Sequence, residues 1–273
     1  MMRSMFAAIS GLKVHQTMLD VTSNDIANVN TLGFKGQRTT FKDSLAQLQR
    51  GAAAPTAAQG GSNAAQVGLG VQLNSIDNQM GSGALQTTGN VLDVAVQGEG
   101  WFRVAGTPAG GNLQYTRAGN FTRNANGDLV TQDGYFVQGS AAAGGAGPYG
   151  PINIANGATN VAIGQDGSVS YDPAGGGARV TAGYLTLAKF PNEAGLERTS
   201  SNRWRASAAS GNETPGTPGG NFGLTTSGTV EMSNVDLASE FTNMITAQRG
   251  FQANSRVIST SDELLQDLVN LKR

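Results

Sequence analysis

The sequence predicts an α+β fold: paired N- and C-terminal coiled-coil-like helices flanking a central antiparallel all-β domain. Three observations carry that prediction. Residues 2–30 and 233–273 place apolar side chains at steps of three and four, the spacing of a helix with one buried stripe. Residues 84–224 alternate with a period of two between turn dipeptides, the spacing of antiparallel strands. The charged fraction is 14% and there are 39 glycines, where about 25% charged and roughly half as much glycine is usual. A turn-rich β region fits that balance. The expected divisions are an N-terminal axial helix (1–32), an extended linker region (33–83), the β-domain (84–224), and a return segment with the C-terminal axial helix (225–273).

The first helix steps through Met2, Met5, Ile9, Leu12, Gln16, Leu19, Ser23, Ile26 and Asn30. Polar seam residues such as Gln16 and Ser23 weaken a helix pair but fix its register. The helix is expected to stop between Asn28 and Gly33, where NVNTLG supplies turn residues. Within 34–49 the pattern predicts a short strand and one or two helical turns. Residues 51–65 read as a linker of small residues, and 67–80 as extended chain. The linker is expected to let β-domains slide, since Gly and Ala carry little side-chain ordering cost.

In the β region, LDVAVQ, GWFRV, LQYTRAG, GDLVTQ, GYFVQG, INIA, NVAIG, GSVSYD, RVTAGYLTLAKF and NRWRA are predicted strands. Asn126-Gly127, Asp133-Gly134, Asn156-Gly157 and Asp166-Gly167 separate several of them; such dipeptides supply the positive φ of tight turns. Trp101, Phe102 and Trp204 fall in strand patterns and are read as core. Residues 207–223, rich in Gly, Pro and Ser, are expected to be a second loose loop.

The last helix steps through Leu237, Phe241, Met244, Gln248, Phe251, Ser255, Ile258, Asp262, Leu265 and Val269. Ser233 or Asn234 is a candidate cap, with Asp236 in the first turn and Lys272 and Arg273 at the end, where cations suit the helix dipole. A helix of this length runs to roughly 60 Å and needs a partner. The first helix leads into the β-domain and the last leads out, so a pair between them is antiparallel. Two helices alone leave apolar surface over, and copies of the chain are expected to cover it. A head-to-tail contact of that kind closes a ring or grows an open helical homopolymer. The expected subunit-interface seams are Met5, Ile9, Leu12, Leu19 and Ile26 on the first helix, with Leu237, Phe241, Met244, Phe251, Ile258, Leu265 and Val269 on the last.

Composition argues against other classes. Cysteine is absent and His15 is the single histidine, which excludes thiol chemistry and His-rich metal sites. The net charge of −1 points away from nucleic acid. No run reaches the ~18 apolar residues of a membrane span, and the N-terminal MMRSMFAAISGL has a short apolar core and no good small-x-small cleavage site. GEG at 98–100 reads as a turn, and Asn124, Asn126 and Asp128 as a hairpin turn more than a calcium loop. Asp93, Glu99, Asp166 and Asp172 sit in turn contexts that suit a hydrolase poorly. No catalytic residue, cofactor or metal is expected. A secreted β-rich binding module is the remaining alternative class.

The segments LDVTSNDIANVNTLGFK (19–35), LDVAVQGEGWFRV, YTRAGNF, NGDLVTQDGYFV and VEMSNVDLASEFTNMITAQRGFQANSRVISTSDELLQDLVNLKR carry a resemblance: the chain is similar to the bacterial flagellar rod and hook axial proteins. Within that family it most resembles hook proteins of the short Gram-positive type, with the distal rod protein as the near relative. The resemblance implies export unfolded through the flagellar type III apparatus without a cleaved signal, and assembly beneath a hook cap into a tubular filament. As a hook it would be a flexible universal joint passing torque from rod to filament. The distal rod protein would lie below it and the first hook–filament junction protein above. As a rod it would be a rigid drive shaft.

Overall fold

The computed structural model describes residues 2–55, 60–144 and 147–271. The chain divides into two compact units, one of residues 1–27, 37–78 and 236–273, the other of residues 28–36 and 79–235.

The first unit holds two long helices and a β ribbon. Helix α1 spans Met2–Ala27. The ribbon is built from β1 (Gln37–Asp43), β2 (Ala46–Arg50), β3 (Ala65–Gly68) and β4 (Val71–Asn78), and helix α2 spans Leu237–Asn270. The helical turns expected after Phe41 are absent. The chain there runs on as one antiparallel hairpin, with β1 paired to β4, β2 to β3, and an Ala53–Ser62 bridge beyond them. Ser44 N donates to Gly70 O at 2.8 Å and Leu69 N to Leu45 O at 3.0 Å, which joins the two halves. A helical turn of SLAQLQ would satisfy only its own backbone; the ladder satisfies two segments at once. Residues 56–59 of the expected linker lie outside the described residues. Its flanks, at Ala53 and Ser62, are paired.

Helix α1 lies against this ribbon. Ser10 Oγ donates to Ala7 O at 2.7 Å and accepts from Val71 N at 3.2 Å. Gly70 makes that approach possible: its φ is +120°, and a Cβ there would sit 2.3 Å from Ser10 Oγ. Near the other end of α1, Asp25 Oδ2 accepts from Gln37 N at 2.8 Å. Helix α2 is capped by Asp236, whose Oδ1 accepts from Ala238 N at 3.0 Å. The cap is thus neither Ser233 nor Asn234, because the side chain of Asn234 is held elsewhere. Lys272 and Arg273 lie outside the described residues.

The second unit is a 13-stranded antiparallel sheet with two small flanking sheets. In β5 (Leu85–Thr87) and β6 (Val94–Gln97) the chain pairs with its own late residues, Thr229–Glu231 and Leu224–Ser227 respectively. Strands β7 (Trp101–Ala105) and β8 (Leu113–Thr116) follow at the centre of the main sheet. Alternation on β7 divides the core. Phe102 and Val104 pack with Phe121, Leu129, Val137 and Leu185, while Trp101 packs with Tyr115, Phe190 and Trp204. Trp101 and Trp204 meet edge to face at 5.8 Å, so both tryptophans are core, as their strand pattern predicts. The four expected turn glycines all have φ between +77° and +92°.

Residues 207–223 are not a loose loop. Thr214–Gly216 pairs with Leu187–Lys189, Ser210 is fully buried, and Glu213 bonds both Arg103 and Tyr115. Small residues here allow close packing instead of freedom.

Candidate functional site

The helix pair of the first unit is antiparallel and close. A Cβ on Gly11 would stand 2.7 Å from Asn254 Nδ2, and one on Gly250 would stand 2.5 Å from the His15 ring. Four residues forward on α1 therefore match four residues back on α2. The buried positions are mostly small or polar: Ala8, Gly11, Val14, Thr22 and Asp25 on α1, with Ala247 and Ser261 on α2. Within α2, Asn254 Nδ2 donates to Gly250 O at 3.0 Å. The ring of His15 also lies edge-on to Phe41 at 6.1 Å. Small residues let helix backbones approach closely, as ridges into shallow grooves.

The expected subunit-interface seam lies largely outside these buried positions. Met5, Leu12, Leu19 and Ile26 on α1 are half-buried, as are Met244, Ile258 and Leu265 on α2. Ile9, Leu237, Phe241, Phe251 and Val269 are exposed. The stripe of large side chains is thus split between half-buried positions and open surface. Phe6, Ile245, Val257 and Leu264 are exposed as well, with Phe6 at 63% and Phe241 and Ile245 each at 50%. Phe241 and Ile245 lie one turn apart, a spacing visible in the sequence. The Ala8/Gly11 and Ala247/Gly250 steps were the signal for the contact itself, and a count of large apolar residues passes over them.

The ribbon adds apolar surface of its own. Leu45 faces Leu69 and Gln47 faces Val67, so Leu45, Val67 and Leu69 share one face of the ladder. All of β2 is exposed. A two-stranded hairpin alone is marginal in water, and exposed contiguous apolar surface marks an interaction site. The contact between the helices predicts a simple test. Gly250→Val should lower the thermal midpoint of helix melting by overpacking against His15, at a cost of about 1–3 kcal/mol. His15→Ala in the same chain should recover part of that loss; no recovery would mean the two side chains do not meet.

The second unit has a buried charged cluster of its own. Glu231 Oε1 accepts from Lys35 Nζ at 2.6 Å and from Gly83 N at 2.9 Å. Its Oε2 faces Arg117 Nη1 at 3.4 Å. The Lys35 and Glu231 side chains are fully buried, and Lys35 also donates to Gly81 O at 2.8 Å. The segment 28–36 is held here in detail. Gly33 N donates to Glu231 O at 2.8 Å, and Arg198 Nη2 donates to Lys35 O at 2.6 Å. The Arg198 guanidinium lies 4.5 Å from the centre of the Phe34 ring. Two cations thus surround one carboxylate. Burial holds the Lys35 ammonium below the ordinary lysine value of 10.5, against the opposing pull of Glu231. Burial raises Tyr115 above the ordinary tyrosine value, reinforced by its bond to Glu213.

These directions fix the alkaline behaviour. Below its lowered pKa, Lys35 is charged in both states. Between that pKa and 10.5 the unfolded chain holds more protons, so stability rises with pH in that window. Tyr115 acts oppositely. As pH climbs past its ordinary value of 10.0 the folded state holds more protons, and stability falls. Denaturant midpoints are expected to pass through a maximum near pH 10, and Lys35→Met should remove the rising limb. A monotonic decline from neutral pH would contradict the Lys35 assignment.

The acidic residues weighed for catalysis are each tied locally. Asp93 bonds Thr88 and Asn90, Glu99 pairs with Lys189, Asp166 bonds Ser168 and Asp172 accepts from Asn160. Asn124 Oδ1 accepts from the backbone of Asn126 and Asp128, the geometry of a turn.

Three family descriptions match along the chain. Residues 5–35 match the flagella basal body rod protein family, residues 95–171 the flagellar hook protein FlgE/F/G D1 domain, and residues 226–271 the flagellar basal body rod FlgEFG protein C-terminal region. Over its whole length the chain is 47% identical to the flagellar basal-body rod protein FlgG of Bacillus subtilis, covering all of that protein too. The chain belongs to the flagellar FlgE/F/G rod and hook family. It is a structural, axial component of the bacterial flagellum. The FlgG of Caulobacter vibrioides is 40% identical over 99% of this chain and 100% of its own length. The flagellar hook protein FlgE of Borreliella burgdorferi is more distant, 28% identical across an alignment of 444 positions that spans both chains. No described helix of this axial protein is long and apolar enough to cross a membrane. The first family match ends at Lys35 and the last contains Glu231, so the buried pair joins the two terminal regions of the family's architecture.

Proposed function

We propose that this chain is a rod subunit, in the role of the distal rod protein: a rigid drive shaft, in place of the flexible hook joint expected from the sequence. The observation that carries this reading is full-length identity of 47% to a protein named FlgG, against 28% to a protein named FlgE. The fold supports a stiff role. Residues 207–223, expected to be a loose loop, are packed into the sheet, and the ribbon is a paired ladder on both sides of residue 44.

In this reading copies of the chain form an open helical polymer. The exposed Phe6, Phe241, Ile245 and Leu264, together with the half-buried Met5, Ile258 and Leu265, bury against neighbouring copies. Each fully buried apolar side chain contributes about 1.5–3 kcal/mol. The subunit is exported through the flagellar type III apparatus, and its neighbour above is the hook in place of the junction protein. The hook cap and the hook–filament junction protein then lie beyond its reach.

The test is electron microscopy of the assembled protein, together with complementation. Short straight cylinders, and restored motility in a Bacillus subtilis strain lacking its FlgG, are expected. Curved tubes, or rescue of a strain lacking its hook protein instead, would return the chain to the hook role.

A further inference from the structure

We propose that docking of the N-terminal arm, residues 28–36, and docking of the return strand, residues 229–235, are one cooperative event, a latch that orders both or neither. The arm continues covalently into α1 and the return strand into α2, and within the β-rich unit they bind each other as well as the sheet. Gly33 N donates to Glu231 O at 2.8 Å and Lys35 Nζ to Glu231 Oε1 at 2.6 Å. Gly36 N donates to Asn234 Oδ1 at 2.8 Å, and Asn234 N faces Phe34 O at 3.4 Å. The amide of Asn234 then reaches a third segment, donating to Gln79 O and Gly81 O at 2.8 and 2.9 Å. Lys35 reaches the same Gly81 O.

Neither strand is complete without the other. With the return strand away, the Lys35 ammonium and the Arg117 guanidinium keep their burial and lose their carboxylate. An isolated buried charge is not tolerated in place, so the arm has to leave too. With the arm away, the carbonyl of Glu231 loses Gly33 N, and its Oε1 loses Lys35 and keeps only Gly83 N. Coupling of this kind is reciprocal: whatever loosens one strand loosens the other by the same factor. The latch makes order in the N-terminal arm conditional on the presence of residues that lie some two hundred positions later, so a chain cut or truncated before its return strand presents no ordered arm.

Hydrogen exchange on the full-length chain, resolved by segment, tests this. Asn234→Ala removes a return-strand side chain that is itself uncharged. It is expected to speed exchange at least tenfold at the amides of 33–36 as well as 229–235, with Trp101–Ala105 unchanged. Gly33→Ala acts from the other side. Its φ is +65° and a Cβ there would fall 2.5 Å from Ala118 N, so it unseats the arm, and exchange across 229–235 should rise by a matching factor. Arg198→Ala loosens the arm from the sheet side and should show the same paired response. Faster exchange confined to one of the two strands, 28–36 or 229–235, in these variants would overturn the proposal. If Gly33→Ala unfolds the whole unit, Asn234→Ala and Arg198→Ala still decide it from opposite sides.

Discussion

Glu231→Gln is expected to destabilise the β-rich unit by about 3–5 kcal/mol, the usual cost of breaking a buried ion pair by removing one partner. The reason is the count of charges. Lys35 and Arg117 both turn to this one carboxylate, and the Lys35 and Glu231 side chains have no exposure. An amide of the same shape can accept from Lys35 and Gly83, but it leaves two cations buried without a counter-charge. The reverse change is milder. Lys35→Met removes the cation that burial already disfavours and leaves Arg117 to balance Glu231. Both tryptophans of the chain, Trp101 and Trp204, lie in this unit's core, so urea unfolding followed by tryptophan fluorescence reports on it directly. A loss below about 1 kcal/mol for Glu231→Gln, a typical surface-pair value, would show that the cluster is solvated in solution.

Phe241→Asp and Ile245→Asp are expected to abolish polymerisation while leaving the subunit folded. Each side chain is half exposed in the single chain, so the substitution changes subunit stability by no more than about 0.5 kcal/mol, as for ordinary surface sites. In a polymer the same carboxylate would be buried without a partner, which costs several kcal/mol and recurs at every copy. Ile258→Asp and Leu265→Asp, at half-buried positions on α2, should combine the assembly defect with a larger loss of subunit stability. Sedimentation and electron microscopy separate these outcomes from unfolding seen by circular dichroism. Normal cylinders from Phe241→Asp would place the interface elsewhere.

The positions of the helices and most of the strands were legible because each rests on local periodicity. Apolar steps of three and four mark α1 and α2, and alternation in GWFRV divides Phe102 and Val104 from Trp101. The contact face of the helix pair was not legible in the same way. Large residues at helical spacing suit a partner helix and a neighbouring copy equally, and only the fold shows that Gly11, Gly250, Ala8 and Ala247 took the close contact. Residues 46–50 misled because a helical stripe and a ribbon strand look alike over five residues; the partner, 65–68, is too far along the chain for local pattern to reveal it.

By itself the sequence determined the α+β order, the antiparallel sense of the terminal helices, the tight turns at Asn-Gly and Asp-Gly, and the aromatic core, since these follow from spacing and backbone preference. The tertiary structure alone decided which helix faces meet, which remain open for other copies, and how Lys35 joins Glu231 across 196 positions. A lone lysine and a lone glutamate have no local signature. Their pairing exists only because strands distant in sequence close over both and exclude water, and that exclusion is what gives the pair its energy.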